Sequence, residues 1–206
     1  MANVTGQAYG LTVLSPIRTD LVGYVSRARI LRGYLAGLPV GAESPFARVP
    51  MMHFARWVVL DTLPFEGYPS TDDMLASAYL LFVCEFDGDL PEMLNMLASS
   101  IGDVVSDVYA HCVDFPGTHS LRAFQMYMTS CQIDTTFLYS SYPNDSVDDV
   151  LKALLLQREL GTWLADNQGL LHAQVAGSAD AAELQVAFRT FGRHMDALPL
   201  PPRGAA

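Results

Sequence analysis

Basic residues are scarce in this chain of 206 residues: 12 lysines and arginines stand against 22 aspartates and glutamates, a formal net charge of −10. A phosphate-backbone partner needs a dense basic patch, so nucleic acid is not an expected ligand. Arg27, Arg29 and Arg32 lie close together, but on a helix they point in different directions. Cysteine is scarcer still. Cys84, Cys112 and Cys131 make no disulfide framework, and the lack of any Cys-x-x-Cys pair removes zinc-ribbon and thioredoxin readings. The odd count suits a reducing compartment. The first ten residues, "MANVTGQAYG", lack a basic stretch followed by an apolar one, so no secretory signal is expected. No apolar run reaches the length of a membrane span. A cytoplasmic protein without a membrane partner is the expectation. Gly-x-Gly-x-x-Gly, Walker and Gly-x-Ser-x-Gly motifs are also missing, which argues against nucleotide-binding and α/β-hydrolase chemistry.

What is present is apolar residue: half the chain is hydrophobic and only 17% is charged, so a packed core is expected. "AYGLTVLSPIR" (8–18) reads as a strand ended by Ser15-Pro16. Leu21, Tyr24, Ala28, Leu31, Leu35 and Leu38 recur at threes and fours, which predicts a helix capped by Thr19 or Asp20 and ended by Gly37 and Pro39. "MMHFARWVVLD" (51–61) is a second strand. "ASAYLLFVCEFDGD" follows a turn-rich segment as the third. Asp89-Leu90-Pro91-Glu92 has the form of a capping box, opening a helix that buries Leu90, Leu94, Leu97, Ile101, Val105, Val108 and Cys112. A short helix at 121–128, a fourth strand "IDTTFLYSSY" (133–142) and a helix from Ser146 to about Ala165 complete the first 166 residues. From 167 on, one helix (179–195) precedes a Pro-rich tail expected to be mobile. Two segments are therefore expected, 1–166 and 167–206. The element order is that of an α+β, ferredoxin-like βαββαβ fold, four antiparallel strands with helices on one face.

The strings "HFARWVVLD", "LLFVCEFDGD" and "YAHCVDFPG" resemble the dimeric α+β barrel superfamily. Within it they are most similar to a poorly characterised bacterial group with a His-Phe-Ala-Arg strand and a Phe/Tyr-Asp-Gly strand end; the likeness covers roughly residues 8–166. The resemblance implies a homodimer in which two sheets pair, and a pocket between sheet and helices in each subunit. Relatives include cofactor-free monooxygenases and cyclases, and haem enzymes of greater length. The fold alone does not choose among them.

In the second strand, alternation puts His53 with Met51, Ala55, Trp57 and Val59, and Arg56 on the opposite face with Phe54 and Val58, unless a bulge intervenes. A pocket imidazole at His53 would serve as acid or base. Arg56, or a tyrosine, would stabilise an oxyanion. The plainer alternative is a hydrogen-bonded core histidine and a paired arginine. Asp107 and His111, four apart on a helix, could meet as a carboxylate-oriented imidazole, or make an ordinary surface pair at a helix end. Cys112 diverges from His111 and is no nucleophile partner for it; Cys84 reads as core. No histidine lies in a metal-binding motif, so no metal is expected. The resulting expectation is an enzyme on a small, largely apolar organic substrate, with cofactor-free acid–base, oxygenase, cyclase or lyase chemistry and His53, Arg56, Asp107 and His111 as its candidates. The first alternative is a haem protein of the same fold, with His53, His111 or His119 as axial ligand. The second is a non-catalytic dimeric binding protein.

Overall fold

The computed structural model describes residues 3–62, 67–68, 74–175 and 181–204. The chain divides into two compact units, 1–147 with 203–206, and 148–202. The first is a mixed α+β unit built on a four-stranded antiparallel sheet, in the order β1 (Val4–Thr5), β2 (Ala8–Pro16), β6 (Met74–Asp87), β5 (Met52–Thr62). This sheet is compatible with a ferredoxin-like arrangement. Most of the turn segment 63–73 lies outside the described residues, as does the expected start of the last helix at Ala179.

Side-chain alternation sorts the sheet into two faces. Leu11, Val13 and Ser15 of β2 stand opposite Cys84, Phe82 and Leu80 of β6, and all six are buried. Ala55, Trp57 and Val59 of β5 pair with the same β6 residues and pack on the same core. Phe46, Trp57 and Phe82 form an aromatic group with centroids 4.5–6.1 Å apart. Over this face lie α1 (Arg27–Ala36), α2 (Leu90–Tyr109) and α3 (Leu121–Ser130). Asp89 caps α2 by accepting the Glu92 N–H at 2.8 Å, and α2 buries Leu94, Leu97, Ile101, Val105 and Val108 as its spacing predicts, with Met93 and Tyr109 added, while Leu90 is only half-buried and Cys112 is buried beyond the helix end. Ile101 is non-helical (φ −137°, ψ 27°). There the Thr118 hydroxyl donates to the Gly102 carbonyl, at 3.3 Å, and lies 2.9 Å from Ser106 Oγ, so an inserted side chain accounts for the kink.

Two sequence expectations are corrected. The first helix begins at Arg27, not near Leu21: residues 21–26 fold into a small hairpin, β3 (Leu21–Val22) with β4 (Val25–Ser26), turning at Gly23. Gly23 takes φ +64°, which a helix cannot accommodate, and Ser26 supplies the cap. Residues 133–142 form no strand. The reason lies in the free edge of β2. The Gly10 N–H already donates to Asn3, so β1 occupies half of that edge. Residues 131–133 exchange two bonds with Thr12 and Leu14, and the chain is then displaced outward. The buried Asn3 amide catches it, accepting the Thr135 N–H at 2.6 Å, and Leu138 rests over Gly10, where a Cβ would stand 2.9 Å from its methyl. Pro16, with no N–H to offer, sits at the same edge and contributes only its carbonyl, to Val113.

The second unit contains α4 (Val147–Asp166) from Asp148 on, α5 (Gln168–Val175) and α6 (Ala181–Ala197). The tail returns to the first unit: a Cβ on Gly204 would stand 2.5 Å from the Gly41 carbonyl oxygen. Among the described residues no helix is long and apolar enough to cross a membrane.

Candidate functional site

β5 carries an irregularity where the sequence places its histidine. Met52 pairs with Phe86 and Phe54 with Glu85, so His53 is an extra residue opposite the same stretch of β6. The bulge breaks the alternation there and re-aims the side chain. His53 Nε2 lies 2.7 Å from Asp87 Oδ1, at the end of β6. Asp87 Oδ2 accepts the backbone N–H of Val147 at 2.9 Å. Both side chains are largely buried, 18% and 16% exposed, so the pair is shielded without being sealed. A carboxylate can only accept, so in the neutral ring Nε2 carries the proton and Nδ1 the lone pair. That is the chemistry of an oriented imidazole able to take or deliver a proton at Nδ1. Asp87 is the acid of the Phe-Asp-Gly strand end, the one signal in the sequence that marks it.

The other candidates do not join this pair. Arg56 stands opposite Val83 on the face turned away from the helices, exposed and without an ion pair among the described residues. Asp107 accepts from the Tyr34 hydroxyl at 3.2 Å. α2 ends at Tyr109, so His111 has left the helix, and no hydrogen bond links it to Asp107. His111 Nδ1 is buried without a partner. Burial first, then the nearby Arg27 and Arg18, hold its imidazole below the usual 6.5. The unfolded chain then binds a proton more readily than the folded one, so this group removes stability as pH falls through that range. His111→Asn is expected to lose less melting temperature than the parent between neutral pH and about pH 5, measured by thermal melts. His119 is exposed. Of the three neighbouring arginines, Arg27 pairs with Asp20 at 2.6 Å and Arg32 with Asp61 at 2.9 Å.

A second polar group lies inside the first unit, about four residues or 13 Å along β5 from His53. Ser15, Trp57, Tyr109 and Tyr127 bury their polar side-chain atoms together, Trp57 beside the Tyr109 phenol and Ser15 beside the Tyr127 phenol. The two tyrosine rings meet edge to face at 6.2 Å. Burial pushes both phenols up, Tyr109 well above its ordinary value. The same cause raises the Cys112 thiol to about 12, and Cys84 higher still, which leaves neither thiol reactive. Among the described residues no three histidine, cysteine, aspartate or glutamate side chains come together to hold a metal ion. Comparison with known protein families, curated proteins and solved structures finds no match to this chain.

Proposed function

We propose that the protein is an enzyme using acid–base chemistry on a small, largely apolar organic molecule. His53 is the proton-transfer group, without nucleotide, haem or other cofactor, in a cytoplasmic homodimer of the α+β barrel type. The observation that carries this reading is the 2.7 Å contact of His53 Nε2 with Asp87. Asp87 fixes the tautomer and steadies the ring when it becomes cationic, as the third member of a catalytic triad does. The opposite nitrogen is left to act on substrate. Apolar surface lies close by in the chain: Met51 packs on the core, with its methyl near Gly88, where the Glu92 carboxylate also lies, and Phe54, next in sequence, is 72% exposed. Such apolar neighbours suit a substrate with little charge.

The outer face of the sheet supports the dimer. Leu14, Leu81, Val83, Val58 and Leu60 lie on it, none in the core and none fully buried. An apolar sheet face of that extent is rarely left to water. Arg56 and Glu85 lie on the same face with no ion pair among the described residues. One unpaired cation and one unpaired anion make a patch complementary to itself across a two-fold axis. The same face favours a second reading, a dimeric binding protein in which His53 and Asp87 only fasten the sheet end.

Native mass spectrometry tests both. The enzyme reading expects a dimer that retains a small organic molecule, lost from His53→Gln while the dimer persists. A dimer that keeps the same ligand in His53→Gln favours the binding protein. A monomer with no ligand contradicts both.

A further inference from the structure

The 148–202 unit holds a groove of about 570 Å³ between α4, α6 and the segment 198–200. Its floor is apolar and aromatic: Leu155, Phe188, Phe191 and Met195. Phe188 is 55% exposed, an unusual outlay for a phenylalanine with a neighbouring core to join. Trp163 packs behind the floor, 5.6 Å from Phe188 and 5.7 Å from Phe191. The volume falls within the range of small-molecule sites, and the lining has their usual composition, mostly apolar with a few polar groups.

The charged groups of the groove choose the occupant. Asp148, Asp149 and Asp196 line it, against one cation, Lys152. The first two have a local reason to be there, because they occupy the first turn of α4, at the positive end of the helix dipole. Asp196 has the opposite setting. It lies in the last turn of α6, at the negative end, and makes no ion pair among the described residues. A carboxylate there is disfavoured by its own helix. Lys152 lines the same groove without an ion pair to it among the described residues, so a positive charge arriving in the groove can match Asp196, and the aromatic floor adds the attraction of ring faces for a cation.

We propose that this groove binds a small organic cation with an apolar body, an aryl or alkyl ammonium or phosphonium, the charge set by Asp196 and the body by Phe188 and Phe191. The site is separate from His53 and does not rest on the enzyme reading.

Two ions of the same shape and opposite charge test it on the full-length protein: tetraphenylphosphonium and tetraphenylborate, by equilibrium dialysis with tryptophan emission as a second signal. The expected result is saturable binding of the cation, a change in emission because Trp163 lies against the floor, and at least about tenfold weaker binding of the anion. Asp196→Asn should weaken the cation by about fivefold, the size of a partly exposed ion pair, and leave the melting temperature near that of the parent. Binding of neither ion overturns the proposal, as does equal binding of both, or cation binding unchanged in Asp196→Asn.

Discussion

Asp87→Ala is expected to cost about 3 kcal/mol of stability, seen as a fall of about 6–12 °C in melting temperature for a chain of this size. Two donors lose their acceptor at once: His53 Nε2, at 2.7 Å, and the Val147 N–H, at 2.9 Å. Both sit where water reaches poorly, so each retains much of the desolvation cost of an unmade bond. The nearest control is two residues away. Asp89→Ala removes an exposed helix cap and should cost about 1 kcal/mol. Thermal melts of the two variants side by side decide the point. If Asp87→Ala costs no more than Asp89→Ala, the His53–Asp87 contact contributes nothing beyond an ordinary cap.

The second large effect separates two adjacent residues of one strand. Phe82 is 1% exposed and packs on Phe46 and Trp57, so Phe82→Ala should cost about 3–5 kcal/mol through the cavity it leaves. Leu81 points the other way, opposite Leu14 and Val58 on the outer face. In the proposed homodimer, Leu81→Lys should leave the fold with most of its stability and halve the particle mass in light scattering, because a lysine buried at the two-fold interface would face its own copy. A Leu81→Lys protein that keeps its mass would mean that the outer face is not the dimer interface. One that unfolds would mean that this face is core within a single chain.

Much of this fold is legible in the sequence, and the failures have local causes. The strands at 8–16, 52–62 and 74–87 and the helix at 90–109 follow directly from period and caps, since alternation and the Asp89 cap act within a few residues. The helix expected from Leu21 fails because periodicity continues through Gly23 while the backbone does not. The strand expected at 133–142 fails because its composition is right but its place is half taken. Only the tertiary pairing of Asn3 with Gly10 reveals that β2 has no free edge left there. The site shows the same division. His53 stands out in its strand, yet its partner depends on a bulge that the spacing of side chains does not announce. The pairing of Asp107 with His111 is sound arithmetic for a helix, but the helix stops at Tyr109, so no hydrogen bond joins the two and Asp107 acts on the imidazole only through its charge.

The central claim is that His53 moves a proton on a substrate. Its most direct test is to incubate the purified protein in heavy water with a cellular small-molecule extract, and to follow every component by mass for consumption or for gain of deuterium. At least one small, apolar compound is expected to be consumed or deuterated by the parent protein. His53→Gln, with a particle mass and melt close to the parent's, should slow this by about a hundredfold or more, as expected for loss of a general acid–base group. An unchanged rate in a folded His53→Gln protein, or no compound altered by the parent, would contradict it.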